Sequence, residues 1–79
     1  MQKFIVTFGS GQLGGFGLHY HLEVSGPDEM TVRRVVSEMF DKKWGGIYAE
    51  PSNYVARYGT KCLGRVFIED VYSWRTERS

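Results

Sequence analysis

The sequence predicts an α+β fold in which a single amphipathic helix packs on a small antiparallel sheet. Three observations support this prediction. Residues near the start of the 79-residue chain alternate with a period of two, which is typical of strands, and residues in its middle follow a helical period. The patterns also succeed one another as strand, strand, helix, strand, short helix and strand. A single long helix in this order excludes a doubly wound sheet.

The first two predicted strands lie on either side of a glycine-rich segment. The strand over residues 3–8 has apolar side chains on both faces, as a central strand or a strand beneath a helix does. The strand over residues 16–24 alternates more regularly, so one of its faces is expected to cover the core. Pro27 cannot extend a ladder and therefore ends this strand.

The glycine-rich segment Gly9-Ser10-Gly11-Gln12-Leu13-Gly14 matches the Gly-x-Gly-x-x-Gly pattern of a dinucleotide-binding turn. In such a turn, the third glycine opens a helix whose N-terminal amides hold the pyrophosphate. Here a strand-like alternation follows instead of a helix. We therefore interpret residues 9–17 as a flexible loop between antiparallel strands, and not as a nucleotide site.

The longest periodic pattern predicts a helix from Asp28 to about Lys43. Asp28 is suited to cap its N-terminus, and acidic residues at the start and lysines at the end complement the helix dipole. Gly45 and Gly46 are expected to stop the helix, and Trp44 to cover the core at this corner. The apolar stripe has the spacing i, i+3, i+4, i+7, i+8 and consists of Val32, Val35, Val36, Met39 and Phe40.

The remaining residues predict shorter elements. A third strand is expected over residues 47–50, and residues 51–58 could form one short helix, with a plain loop nearly as well supported. The last strand is expected over residues 65–69, before a polar tail at residues 70–79. The side chains expected to point inward from the short helix are Tyr54, Val55 and Tyr58. Residues 1–79 are thus expected to form a single domain.

Composition favours a packed cytoplasmic protein. Hydrophobic residues make up 42% of the chain and aromatic residues 15%, which suffices for a core. The single cysteine, Cys62, cannot form an internal disulfide, as expected in a reducing cytoplasm. No apolar stretch reaches the ~20 residues that span a bilayer, and no basic segment followed by an apolar one opens the chain. A net charge of +1 argues against a dedicated nucleic-acid binder.

A polar face of the second predicted strand is a candidate metal site. His19, His21 and Glu23 alternate along that strand, so their side chains could converge on one ion. A site would need further ligands, and Cys62 is the one thiol available. The alternative is a solvated polar strand face, which alternation by itself produces. We therefore predict no metal and no cofactor.

No catalytic constellation is evident. Cys62 could act as a nucleophile beside His19 or His21, but nothing in the sequence positions these side chains together. A cysteine in this setting is more often a small buried residue. Glu69 and Asp70 would point to opposite faces of a strand, which does not support general acid–base chemistry. The protein is predicted not to be an enzyme.

The last third of the chain combines arginine and lysine with aromatic residues, as protein-binding and RNA-binding surfaces both do. Acidic residues in the same segment offset part of its positive charge, so a protein partner is favoured over nucleic acid. The residues involved are Arg57, Lys61, Arg65, Arg75 and Arg78, interleaved with Tyr54, Tyr58, Tyr72 and Trp74. The expected partner-binding residues are Arg57, Tyr58, Lys61, Arg65 and Trp74, together with Leu13 and Phe16, which are expected to be exposed on the glycine-rich loop.

Through several sequence features within residues 4–50, the chain resembles short uncharacterised proteins of phages and prophages. These features are Val6-Thr7-Phe8-Gly9, a polar strand after a variable loop, Gly26-Pro27-Asp28-Glu29 before a helix with Arg33-Arg34, and then Trp44 and Tyr48. Phage accessory proteins of this size, including anti-CRISPR proteins, are often single α+β domains that bind and block one host component. The resemblance implies an inhibitor or a host-takeover protein. Because the chain has no catalytic signature, we predict a non-enzymatic protein-binding module that inhibits a host defence complex, such as a CRISPR effector, by occluding a surface.

Three alternatives remain open at this point. One is a small RNA- or DNA-binding domain that uses Arg57, Lys61, Arg65 and Tyr58, with an affinity that falls steeply as salt rises. Another is a metal- or ligand-binding protein that uses His19 and His21. The third is a structural homodimer formed through an exposed edge strand. The chain is accordingly expected to be a monomer or a homodimer without a membrane partner.

Overall fold

The computed structural model describes residues 2–70 and 73–77 and confirms the α+β class. A five-stranded sheet has the strand order β3-β1-β2-β4-β5. The elements are β1 (Gln2–Thr7), β2 (Tyr20–Gly26), α1 (Glu29–Phe40), β3 (Gly46–Ala49), α2 (Tyr54–Tyr58), β4 (Lys61–Asp70) and β5 (Ser73–Glu77). Across these residues, no helix combines the length and the apolar character needed to cross a membrane.

The sheet is mixed, and this corrects the prediction of a wholly antiparallel sheet. β1 lies between β2 and β3 and is antiparallel to both, whereas β2 and β4 are parallel. β4 and β5 form an antiparallel pair at the far side. Because α1, β3 and α2 separate β2 from β4 in the chain, β4 can return beside β2 in the same direction, as parallel pairs require.

The core lies between α1 and one face of the sheet. Val32, Val35 and Val36 are the fully buried residues of α1, as the apolar stripe predicts, and Trp44 packs at the edge of this core. Gly26 allows a close approach, because a Cβ atom there would lie 2.9 Å from Cγ2 of Val32. From the sheet, the core receives Phe4, Val6, Phe8, Leu22, Val24, Val66 and Ile68.

The ends of α1 have clear local causes. The backbone N–H of Thr31 donates to Oδ1 of Asp28 at 2.7 Å, which confirms the predicted N-cap. The helix ends at Phe40, before the predicted end at Lys43. Asp41 and Lys42 adopt left-handed conformations with φ of 49° and 64°, so non-glycine residues end the helix ahead of Gly45.

The glycine-rich loop forms two short 3-10 turns, at Leu13–Gly15 and Gly17–His19. β2 therefore begins at Tyr20 and not at residue 16. The side-chain oxygen of Gln12 accepts a hydrogen bond from the Gly9 N–H at 2.6 Å, and its carbonyl accepts from the Gly17 N–H at 3.0 Å. As predicted, the glycines are not followed by the α-helix of a dinucleotide-binding turn, because β2 begins directly after the two 3-10 turns.

The C-terminal part of the chain contains more strand than the sequence indicates. β4 extends well beyond the predicted residues 65–69, and residues 73–77 of the predicted polar tail form β5. The side chains of β5 from Ser73 to Thr76 are exposed, so no buried face produces the alternation that reveals a strand. Two residues named with this segment, Tyr72 and Arg78, lie outside the described residues.

Candidate functional site

The sheet face opposite α1, here called the polar face, brings together chemically active side chains. The β1–β2 register pairs Thr7 with His21, and the parallel β2–β4 register pairs His21 with Cys62 and Glu23 with Arg65. Paired residues point to the same side of a sheet. Three neighbouring strands thus present polar groups side by side on this face.

Glu23 occupies the middle of the polar face and joins three strands. Its carboxylate lies 3.2 Å from Nζ of Lys3 on β1 and accepts a hydrogen bond at 2.9 Å from Nε of Arg65 on β4. Partial burial by itself raises the pKa of Glu23, but the hydrogen bonds and charges of Arg65 and Lys3 outweigh it. The pKa therefore lies below the usual value, and the carboxylate is ionised at neutral pH.

His21 is 3% exposed, which corrects the prediction of a solvated strand face at this position. Its Nδ1 lies 2.9 Å from Oγ1 of Thr60, the residue before β4. Burial lowers the pKa of His21 and outweighs the opposite effect of the Glu23 carboxylate. The imidazole is accordingly neutral at pH 7. His19 lies apart from it, exposed in the second 3-10 turn, so the predicted alignment of the two histidines on one strand face is wrong.

The parallel pairing places Cys62 next to His21 and Glu23. One ligand atom from each of the three residues lies within 4.8 Å of the other two. Sγ of Cys62 donates to the carbonyl oxygen of Gly64 at 3.2 Å. The sequence identifies these residue types as possible ligands, but only the β2–β4 register brings the thiol to the imidazole and the carboxylate.

A second group of side chains lies on and beside α2. The rings of Tyr48 and Tyr54 stack with centroids 5.2 Å apart, and those of Tyr54 and Tyr58 lie 4.8 Å apart. The guanidinium of Arg57 lies 5.5 Å from the centroid of the Tyr58 ring. We call Tyr48, Tyr54, Arg57 and Tyr58 the tyrosine surface. These residues, with Ser52 and Asn53, line a cavity of about 210 Å³.

The edge of the sheet adjoins the tyrosine surface. β3 is a terminal strand of the sheet order, and its residues Ile47 to Ala49 line an open cleft with residues 51–53. An edge strand has backbone N–H and C=O groups that can pair with another chain. Tyr48 belongs both to this cleft and to the tyrosine surface, so the two are continuous.

The structure gathers four of the seven predicted partner-binding residues around α2. Arg57 and Tyr58 belong to the tyrosine surface, where Tyr58 is 59% exposed and not inward-facing as predicted. Phe16 and Lys61 line a cavity of about 270 Å³ together with Gly59, the residue that follows Tyr58. The short segment from Arg57 to Lys61 therefore connects the two regions.

The other three predicted residues lie elsewhere. Arg65 is on the polar face in contact with Glu23, and Trp74 is on β5, opposite Ile68 in the register. Leu13 is half-buried against the core, which corrects its predicted exposure, whereas Phe16 from the same loop is 62% exposed. Leu13 has a left-handed backbone conformation, with φ of 53°, so the loop turns at this residue and is not a simple extended connection.

Sequence reasoning missed Tyr48 and Thr60 as members of these groups, and it named Tyr54 among the aromatic residues of the last third without including it in the predicted partner-binding set. The spacing of Tyr54 and Tyr58 at i, i+4 was a usable signal, because such residues share a helix face. Nothing local in the sequence links Tyr48 or Thr60 to its partner.

Comparison of the chain with models of protein families, with curated proteins and with solved structures found no match in any of the three.

Proposed function

We propose that this chain is a protein-binding module that holds an extended segment of its partner against the tyrosine surface and the edge of β3. The supporting observation is the cluster of three tyrosine rings, in contact in sequence from Tyr48 through Tyr54 to Tyr58, next to a sheet edge. Extended segments bind such edges by main-chain hydrogen bonds, while neighbouring side chains provide specificity.

The exposure of the tyrosine surface supports this proposal. Tyr48 is 46% exposed and Tyr58 is 59% exposed, although each ring is in contact with Tyr54. Rings already held in place lose little conformational entropy on binding, and tyrosine and arginine are enriched among residues that dominate binding energy. Arg57, stacked on Tyr58, adds a cation to the same surface.

The charge distribution favours a protein over a nucleic acid as the partner. Arg57 and Lys61 supply positive charge around α2, but the net charge of the chain is only +1. Nucleic-acid affinity depends mainly on neutralising many phosphates. A protein segment requires no such field, and the β3 edge offers it backbone partners.

The resemblance of residues 4–50 to phage and prophage proteins suggests the class of partner. The module would act in the bacterial cytoplasm on a host defence complex, such as a CRISPR effector, and would inhibit it by covering a surface. This mode requires affinity and no catalytic residue.

The test is affinity capture of the tagged protein with bacterial lysate, with and without nuclease, followed by mass spectrometry. We expect a stoichiometric protein partner that survives nuclease and is lost in the double variant Arg57→Ala/Tyr58→Ala. Arg33→Ala is the matched control, because Arg33 also stacks on an aromatic ring, Trp44, but on α1. Equal loss in the control, or a partner unaffected by the double variant, would contradict the proposed surface.

Two other outcomes would replace the proposal. Recovery of nuclease-sensitive material alone, with binding that weakens steeply as salt rises, would indicate a nucleic-acid-binding domain. A dimer in light scattering that the double variant dissociates would indicate that the same surface binds a second copy of the chain.

A further inference from the structure

We propose that His21, Glu23 and Cys62 form a zinc-binding site on the polar face. This inference does not depend on the proposed protein-binding function, because none of the three residues belongs to the tyrosine surface. It concerns a ligand of different chemistry, a divalent transition-metal ion.

The geometry of the three side chains is close to that of a metal site. Their ligand atoms lie within 4.8 Å of one another. In a tetrahedral zinc site with bonds of about 2.0–2.3 Å, ligand atoms are about 3.3–3.8 Å apart. Contraction by at most about 1.0–1.5 Å would complete three of the four positions.

The chemistry of the donors points to zinc among the common metals. An imidazole nitrogen, a carboxylate oxygen and a thiolate sulfur are each established zinc ligands, and thiolate disfavours magnesium and calcium. Three protein ligands leave a fourth position for water or a small molecule. The site would therefore be of the open type.

Outer contacts already orient two of the three ligands, His21 and Glu23. The hydroxyl of Thr60 engages Nδ1 of His21 and fixes the orientation of the imidazole ring. Nε of Arg65 donates to Oε2 of Glu23 and orients the carboxylate, whose other oxygen lies against the competing ammonium of Lys3. Metal-binding histidines and carboxylates are usually oriented by such outer hydrogen bonds, whose loss costs about 10–100-fold in metal affinity.

Lys3 and Arg65 also give the site a distinctive electrostatic property. Their positive charges oppose a divalent cation, while Glu23 and the thiolate of Cys62 attract it. Removing Lys3, whose side chain is 47% exposed, should therefore strengthen zinc binding. A side chain that merely stabilised the fold would not have this effect.

The experiment is titration of the reduced 79-residue chain with Co²⁺, followed by displacement with Zn²⁺. We expect the visible bands of tetrahedral cobalt and a near-ultraviolet thiolate-to-cobalt charge-transfer band, both removed by Zn²⁺. Cys62→Ser should abolish the charge-transfer band, and Glu23→Gln should weaken binding. Thr60→Val should weaken it about 10–100-fold, whereas Lys3→Gln should tighten it.

His19→Ala is the matched control for His21→Ala, because His19 is exposed and lies outside the cluster. Circular dichroism establishes whether each variant is folded, and Cys62→Ser and Glu23→Gln test the site even if His21→Ala does not fold. A folded wild-type chain without a thiolate-to-cobalt band would overturn the proposal. So would metal binding that is lost in His19→Ala but retained in Cys62→Ser.

Discussion

Glu23 illustrates how single polar residues join the strands of this small domain. It bridges Lys3 on β1 and Arg65 on β4, and the partner side chains are 47% and 51% exposed. Ion pairs in such exposed settings contribute about 0.2–1 kcal/mol each, so their main effect is on orientation. His21 differs because its side chain is buried. Its contact with Thr60 supplies the hydrogen bond that an exposed imidazole would make with water, and so fixes the orientation of the ring.

Asp28 provides a prediction that can be tested by pH. Hydrogen bonds from the backbone and side chain of Thr31 lower the pKa of Asp28. A carboxyl with a lowered pKa in the folded state stabilises the protein above its unfolded pKa, and this stabilisation is lost as the pH falls through the folded pKa. Asp28→Ala should therefore lower the melting temperature at neutral pH.

The same change should cost progressively less as the pH falls below the usual carboxyl range. Asp28→Asn is the control, because its side-chain oxygen can still accept the Thr31 N–H without titrating. Thermal melts of the three proteins across this pH range would give the comparison. A difference between wild type and Asp28→Ala that does not vary with pH would contradict the assignment of the carboxylate as the cap.

The loop between β1 and β2 shows how glycine determines an element. Gln12 organises the loop through bonds to Gly9 and Gly17, and Gly17 lies so close to Gly9 that a Cβ atom would be 2.0 Å from its carbonyl oxygen. The obstructing atom belongs to the backbone and cannot rotate away. The glycine pattern that imitates a nucleotide-binding turn therefore reflects close packing of the loop.

Gly17→Ala should destabilise the domain by about 1–3 kcal/mol or more, because the loop backbone must move to admit the methyl group. Gly11→Ala is the matched control, since no atom lies within 4 Å of the position a Cβ would occupy there. Urea unfolding of the two variants measures the difference. Equal stability of the two variants would show that the loop can rearrange at little cost.

At the scale of the whole molecule, local sequence patterns predicted those strands, helices and caps that local interactions determine. β1, α1 and the Asp28 cap follow from alternation, helical spacing and capping chemistry. The parallel pairing of β2 with β4 does not, because the register of strands distant in sequence leaves no local pattern. For this reason His21 and Glu23 were identified as candidate ligands, while the position of Cys62 beside them was not.

Residues 50–53 form a link that divides the chain into two parts, and the β2–β4 pairing joins these parts in the sheet. β1, β2, α1 and β3 precede this link, and α2, β4 and β5 follow it. Val66 and Ile68 of β4 complete the core between α1 and the sheet. The first part alone would therefore leave that core open to water. We expect two peptides divided at this link to be poorly folded apart and to reassemble when mixed.

Circular dichroism and fluorescence of the separate and mixed peptides would test this expectation, and a native spectrum from the first peptide alone would contradict it. If the halves do reassemble, the parallel strand pair at the centre of the sheet becomes a recognition element between molecules. The domain could then be used as a split reporter, in which proteins fused to the two peptides restore the fold when they meet.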